Sequence, residues 1–500
     1  MLHMNSRINI SIISDFLIKL MKLPINYFDT KLIGDIKQRI GDHQRIQDFL
    51  TGTTLSTLFS FVNLIIFAFV LGVYSAKILI VFVLFRVVGI VWIFLFLRKR
   101  KELDYKRFQR MSANENVLLE LITGMQEIKL NNCETSKRWG WERIQAKVFK
   151  LNIQSLALAQ YQQIGSQVYN QFKNIFISYI SAREVMSGSM TLGMMMSVSY
   201  IIGQMNSPIG QILGFIQSAQ DAKISLDRLG EIHNKKNEEQ SIFNEELRIT
   251  NTGSDTDLIL QNVSYQYQGP HSPFVLKDIN LTIPEGKVTA IVGTSGSGKT
   301  TLMKLLLKFY EPVSGTISVG KKDLKDISAS WLRSKCGTVM QEGFVFSDTI
   351  ADNISVSDVK TDQDKLRHAV MVANIKEFIE ELPLSYNTKI GNAGNGISAG
   401  QKQRLLIARA VYINPDYLFF DEATSALDAN NEKVIMGNLS EFFKGKTVVV
   451  IAHRLSTVKN ANQIVVLEHG QIVETGNHET LVAQRGKYYE LARNQLELGN

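Results

Sequence analysis

Apolar residues gather into two long runs early in the chain. Residues 55–74, LSTLFSFVNLIIFAFVLGVY, carry no charge and are long enough to cross a bilayer as a helix. Residues 78–97, ILIVFVLFRVVGIVWIFLFL, form a second run broken only by Arg86. Ser75, Ala76 and Lys77 alone separate them, which predicts a tight helical hairpin. Two weaker candidate spans follow at 156–182 and 190–216, interrupted by polar residues. The interruptions are ordered: Gln160, Gln163, Gln167, Asn170, Asn174 and Ser178 recur every three or four positions, as do Ser197, Tyr200, Gln204, Ser207 and Gln211. Each set marks one face of a helix. Uncharged polar stripes on membrane helices turn toward protein or a water-filled cavity. For the first stripe, a position partly beyond the bilayer is the alternative. Arg86 sits near the middle of its run, where a cation either serves function or pairs with a neighbouring helix. Pro208 removes a backbone donor and is expected to bend the last span.

The flanks read differently. Residues 1–20 suggest an amphipathic helix with a basic face, without the apolar core and small cleavage residues of a signal peptide. From 104 to about 154 the pattern is polar and helical, free of proline, as expected for extensions beyond the membrane. Residues 233–257 are polar and read as a linker, and the chain from Leu258 onward reads as a water-soluble α/β region. The expected organisation is therefore a membrane helical bundle over 1–232, a linker over 233–257 and a second domain over 258–500.

Composition sharpens this only in part. The 500 residues are 45% hydrophobic and 20% charged, with a formal net charge of +8. A modest positive charge fits nucleic acid or an acidic membrane surface. The basic residues are densest in RKRKELDYKRFQR, directly after the second apolar run. The positive-inside rule then places residues 98 onward in the cytoplasm and the 75–77 turn outside. That assigns the charge to topology, and no nucleic-acid partner is expected. The two cysteines, Cys133 and Cys336, lie far apart and build neither a disulfide framework nor a CxxC metal pair.

The second half carries the chemistry. KVTAIVGTSGSGKTTLMKLLLKF orders a strand, a glycine loop and a helix. Gly293, Thr294, Ser295, Gly296, Ser297, Gly298, Lys299 and Thr300 fit the spacing GxxxxGK[ST]. Backbone amides of such a loop, with Thr301 and the helix N-terminus behind it, surround phosphate oxygens. Lys299 can reach the β- and γ-phosphates of ATP, and Thr300 can place a hydroxyl on Mg²⁺. Downstream, YLFFDEATSALD begins with a buried strand ending in Asp421 and Glu422. Asp421 can hold the Mg²⁺ shell, and Glu422 can orient or deprotonate an attacking water. TVVVIAH is another buried strand, ending in His453; a lone histidine is more often structural, and at that position it can instead contact the γ-phosphate.

Taken in order, these motifs resemble the nucleotide-binding domain of an ABC transporter. The resemblance implies a set of roles. Tyr267, in VSYQYQG, matches the aromatic that stacks on adenine; an aromatic filling a strand core is the alternative. Residues 293–300 match the Walker A loop. Gln341, in VMQEGFVFSDTI, matches the Q-loop residue that contacts Mg²⁺. Ser398, Ala399, Gly400 and Gln401, after Ile397, are similar to the signature LSGGQ. Asp421 and Glu422 match Walker B and the catalytic glutamate. Asp428 closes the D-loop SALD, and His453 matches the switch histidine. The first half resembles the exporter branch of the same family, and within it the exporters of bacteriocins and toxins. LPINYFDTKLIGDIKQRIGDHQRIQDFL and GMQEIKLNNCETSKRWGWER look like its two intracellular loops. Short helices are then expected near residues 24–34 and 130–139.

The resemblance implies an ATP-hydrolysing exporter subunit of a bacterial inner membrane, with its nucleotide-binding domain cytoplasmic and a peptide or protein as cargo. ATP and Mg²⁺ are the implied cofactors, and the lipid bilayer is its setting. One phosphate loop and one signature per chain imply two chains, either a homodimer or a pair with a paralogous half-transporter. A lipid or drug exporter, or a non-transporting fragment, is the alternative. Two departures stand out. About four full spans are read where an exporter half has six, so the expectation is an N-terminally shortened exporter lacking the first span, most of the second and any leader peptidase domain. The signature carries Ala399 where glycine is usual; an added methyl costs little in ordinary backbone and more where φ is positive.

Overall fold

The structure is a computed structural model that describes residues 2–31, 33–239, 256–267, 269, 271–356, 358–391, 396–452 and 458–497. The chain divides into two compact units, Met1–Glu238 and Glu239–Asn500, a division that falls inside the polar stretch expected as a linker.

The first unit is helical. In order it holds α1 (Leu2–Met21), α2 (Ile25–Thr30), α3 (Ile33–Asp48), α4 (Thr54–Tyr74), α5 (Ala76–Thr123), α6 (Met125–Leu130), α7 (Glu134–Met186) and α8 (Leu192–His233), with a π-turn over Phe49–Thr53 joining α3 to α4. The α4–α5 hairpin turns at Ser75, which is extended and accepts a hydrogen bond on its hydroxyl from the Ile78 amide, an N-cap that starts α5 without a loop. Among the described residues, the helices long and apolar enough to cross a membrane are α5 and the continuous rod ending in α4. Both expose large apolar side chains, such as Phe61, Ile65 and Phe69 on α4 and Leu84, Val88 and Leu95 on α5. In water such a surface would be a liability, but lipid takes it without penalty. The weaker candidate spans fall in the C-terminal half of α7 and the N-terminal half of α8, helices of 53 and 42 residues. α5 lies along α7 and α4 along α8, around a core of Leu71, Ile78, Phe82, Ile177, Val198 and Met205.

Pro208 lies inside α8, which continues through it; neighbouring helices packed against a helix make up for the lost bond. One expectation needs adjusting. The second short helix lies at Met125–Leu130, and residues 134–139 already belong to α7. Gly124 ends α5, and Asn132, at φ +49°, turns the chain before α7 begins. Asparagine adopts that left-handed conformation more readily than most residues, so the break comes earlier than the resemblance implies.

Beyond the apolar runs, α3, α5 and α8 meet through charges. Arg228 of α8, 3% exposed, donates to Asp42 of α3 at 3.3 Å and to Asp104 of α5 at 2.8 Å. Its guanidinium lies over the Phe108 ring at 4.2 Å. Arg45 adds a second hydrogen bond to Asp104 at 3.2 Å.

The second unit is α/β. A four-stranded antiparallel sheet has the order β2-β1-β4-β5, from β1 (Leu258–Tyr265), β2 (Leu276–Ile283), β4 (Ser314–Val319) and β5 (Lys322–Asp323). A six-stranded sheet has the order β10-β9-β3-β8-β7-β6, from β3 (Val288–Val292), β6 (Cys336–Val339), β7 (Tyr417–Asp421), β8 (Thr447–Ile451), β9 (Gln463–Glu468) and β10 (Gln471–Gly476). All its pairings are parallel except β9 with β10. The continuous apolar runs YLFFD and TVVVI are buried at every position, as parallel strands covered on both faces require. β3 leads to α9 (Lys299–Leu306). Between β6 and β7 lie α11 (Ile350–Ile354), α12 (Gln363–Val372), α13 (Lys376–Glu381) and α14 (Ala399–Tyr412), with α10 (Ala329–Ser334) before β6 and α15 (Ala429–Phe442) after β7.

Candidate functional site

The site forms where β3 and β7 end. Parallel α/β sheets place ligands beyond the carboxyl ends of their strands. β8 alone separates β3 from β7, so the loop after β3 and the carboxylates after β7 emerge side by side. Gly293 takes φ +154°, and a Cβ there would meet the Leu467 carbonyl at 2.1 Å. Gly298 takes φ +104° and precedes the first residue of α9. Only glycine fits both, so the loop can wrap tightly and aim the helix N-terminus into the space it surrounds.

Lys299 is buried, 6% exposed. Its ammonium donates to the carbonyls of Gly293 and Thr294, both at 2.9 Å. Burial pushes its pKa below the ordinary lysine value, while Glu422 and Asp421 pull it the other way. The Thr300 hydroxyl donates to Asp421 Oδ2 at 2.8 Å, which joins the α9 end of the loop to the end of β7. A hydroxyl and a carboxylate so placed make a hard oxygen pair that suits Mg²⁺.

Glu422 is the next residue and sits at φ +51°. For a glutamate this costs about 1–2 kcal/mol, and such strain gathers at functional positions. Its amide donates to Ile451 O at 3.1 Å. Its carboxylate accepts from Gln341 Nε2 at 3.1 Å. Gln341, just beyond β6, and Glu422, just beyond β7, are therefore brought together. Tyr267 lies beside the loop. Its hydroxyl shares a 2.9 Å hydrogen bond with Thr301, its ring is edge-on to Tyr265 and Tyr310, and it is 41% exposed. A ring so exposed does not fill a core.

The signature segment opens α14. Ser398 is the N-cap: its hydroxyl accepts from the Gln401 amide at 3.2 Å, and Gln401 Oε1 accepts from the Ser398 amide at 2.8 Å. This is a capping box, and it leaves the first turn of α14 presented at an exposed surface. Ala399 begins the helix and is absent from the positive-φ residues, so its methyl sits in ordinary backbone. Asp428 caps α15, accepting from the amide and side chain of Asn431, and those hydrogen bonds lower its pKa. His453 lies outside the described residues.

One contributor escaped the motif reading. Gln403, two residues past Gln401, donates to Glu422 O at 2.8 Å and accepts from the Ala426 amide at 2.9 Å. No spacing rule singles it out, since its partners arrive from the turn after β7.

The fold and site define an ATP-binding P-loop domain in one chain with a helical membrane region. Comparison with known proteins agrees. Residues 276–425 match the family described as ABC transporter, and residues 1–209 the family described as ABC transporter transmembrane region. The exotoxin translocation ATP-binding protein of Pasteurella aerogenes is 36% identical over 497 residues, covering 99% of this chain and 69% of that protein. The alpha-hemolysin translocation ATP-binding protein of Escherichia coli is 36% identical over 488 residues, 97% of this chain and 68% of that protein. In fold, the chain is similar to a bacterial Atm1-family ABC exporter with ATP bound, with a TM-score of 0.91 and 22% identity over 99% of this chain and 86% of the other. The chain belongs to the ABC transporter family, on its exporter side: a transmembrane region followed by an ATPase that drives export.

Proposed function

We propose that this chain exports a protein across a bacterial inner membrane, with its ATPase unit on the cytoplasmic side. The observation that carries this reading is the similarity along 99% of the chain to a protein named for exotoxin translocation. It extends through the membrane helices, where cargo passes, as well as the ATPase. Expected domain limits remain 1–232 and 258–500, joined by 233–257.

In this reading the loop amides and Lys299 hold the phosphates of ATP. Thr300 and Asp421, with Gln341, hold Mg²⁺, which when bound neutralises charge on the transferring phosphoryl group. Glu422 orients and deprotonates the attacking water, steadied by Gln341, and His453 contacts the γ-phosphate. Tyr267 stacks on adenine. A second chain, identical or paralogous, docks head to tail, so that its Ser398, Gly400 and Gln401 grip the γ-phosphate held by Lys299 here, beside the turn that Asp428 ends. The exposed, capped start of α14 supports this arrangement, because an uncovered helix N-terminus favours an anion.

The test is transport by the full chain in inside-out vesicles, offered fluorescent alpha-hemolysin, a fluorescent lipid or a cationic dye. ATP-dependent accumulation of the protein alone supports the reading. Accumulation of lipid or dye instead would make the chain a lipid or drug exporter.

A further inference from the structure

Two cations stand together inside the membrane region. Arg86 of α5 donates to Asn170 of α7 at 3.0 Å and to Asn206 Oδ1 of α8 at 2.7 Å. Lys173 of α7, with no exposed surface, donates to the same Asn206 oxygen at 3.1 Å. Both also lie over one ring, Phe82, at 5.0 and 5.1 Å. Among the described residues neither has an ion-pair partner, and Arg86 Nε is buried without a hydrogen bond. Two adjacent cations in a low-dielectric layer repel strongly, and two neutral amides and a ring cannot cancel them. An anion can.

Access to the pair runs along α8. Ser199, Gly203, Gln204, Asn206, Ser207 and Gly210 are all exposed, while Val198, Ile201, Ile202, Met205 and Ile209 are buried. This inverts the arrangement lipid demands, because the polar face is the open one. One turn beyond Asn206, Gly210 lines a cavity of about 720 Å³ that Gln163 and Ser166 of α7 also line. Arg86 itself borders an apolar cavity of about 270 Å³ against Leu64 and Ile209, room beside the guanidinium for the stem of a side chain. Depth decides the source of the anion. Arg86 lies about 12 Å along its helix from Ile78, near the middle of a ~30 Å hydrocarbon layer, where lipid phosphates do not sit.

We infer that Arg86 and Lys173, with Asn170 and Asn206, form an anion-binding site that takes carboxylates of the exported polypeptide midway across the membrane. This rests on the protein-export reading above. Each carboxylate entering along α8 cancels one of the two positive charges, and the next displaces it, so acidic side chains cross a layer that otherwise excludes them.

The experiment uses the full chain in nanodiscs of zwitterionic lipid. The probes are a fluorescent glycine–serine peptide bearing aspartates and its twin with asparagines at the same positions. A charge-assisted hydrogen bond predicts about tenfold tighter binding of the aspartate peptide. That preference vanishes in Arg86→Gln and Lys173→Met and survives in Arg86→Lys. Undiminished binding of the asparagine peptide shows that a variant is folded. Equal binding of both peptides by the unaltered chain overturns the site and leaves protein export standing. Binding of neither overturns the site and counts against peptide cargo. A preference abolished by phosphatidylglycerol nanodiscs assigns the site to a lipid phosphate and overturns the proposal.

Discussion

Gln403, on the first turns of α14, donates a 2.8 Å hydrogen bond to the backbone carbonyl of Glu422. Its other amide atom accepts from the Ala426 amide at 2.9 Å, so one side chain fastens both ends of the turn after β7. Glu422 is held at φ +51°, a conformation that reverts unless its surroundings enforce it. Gln403→Ala should therefore lower kcat on the order of tenfold, the worth of one to two hydrogen bonds, with KM for ATP nearly unchanged. A general loss of folding would move both and lower the melting midpoint.

Glu422→Gln keeps the shape of the side chain and removes its basicity. It should bind ATP as the unaltered chain does, while steady-state phosphate release falls by about a hundredfold or more, the usual contribution of a general base. Gln341→Ala, which removes the 3.1 Å hydrogen bond to that carboxylate, should cost less. Normal steady-state hydrolysis by Glu422→Gln would remove the residue from the proposed chemistry.

The sequence exposed most of the ATP site because the site is local. A phosphate loop needs glycines at fixed offsets, and Asp421 and Glu422 follow directly on an apolar strand. Gln403 was hidden because its partners come from the turn after β7, not from its own helix. Lys173 was hidden for another reason. It sits three residues past Asn170, inside a stripe that reads as uncharged only if it is passed over. The helix that ends at Leu130 lies earlier than the resemblance implies because Gly124 and Asn132 set its limits, and backbone conformation at an asparagine leaves little trace in a loop motif.

Burial pushes the Cys336 thiol up to about 12, with Arg333 opposing and Asp416 adding to the shift. The thiolate is the reactive form, so Cys336 should resist alkylation in the folded chain at pH 8 and react on unfolding. Cys133 is only half-buried, so mass spectrometry should find it labelled first. The linked effect on stability follows in sign. An acid whose folded pKa lies above its unfolded value favours the folded state less as pH rises past the unfolded value. The melting midpoint should therefore drop above about pH 9, and less so in Cys336→Ala.

Arg228 bridges α3 and α5 from α8 through Asp42 and Asp104, and Arg39 donates to its backbone carbonyl. Removing one member of a buried ion pair strands the other charge, at a cost of about 3–5 kcal/mol. Arg228→Ala should accordingly lower the melting midpoint in detergent more than Lys37→Ala, whose partner Glu115 leaves the lysine 69% exposed. Equal midpoints would mean that the cluster holds nothing together.

The signature's departure from LSGGQ makes the last case. Ala399 occupies the first helical position of α14 with ordinary φ, so restoring glycine there relieves no strain and frees the unfolded chain a little. Ala399→Gly should change ATP turnover by less than about twofold and destabilise slightly, by a few tenths of a kcal/mol to ~1 kcal/mol. Gly400 is different. A Cβ on it would press on the Ala426 carbonyl at 3.1 Å, within the turn that Gln403 fastens. Gly400→Ala should therefore reduce kcat several-fold more than Ala399→Gly does, by shifting the segment that carries Glu422 at one end. Steady-state phosphate release for the two variants, measured side by side, checks the order. A larger effect at Ala399 would mean that its methyl, not the backbone beneath Gly400, sets the fit of this surface.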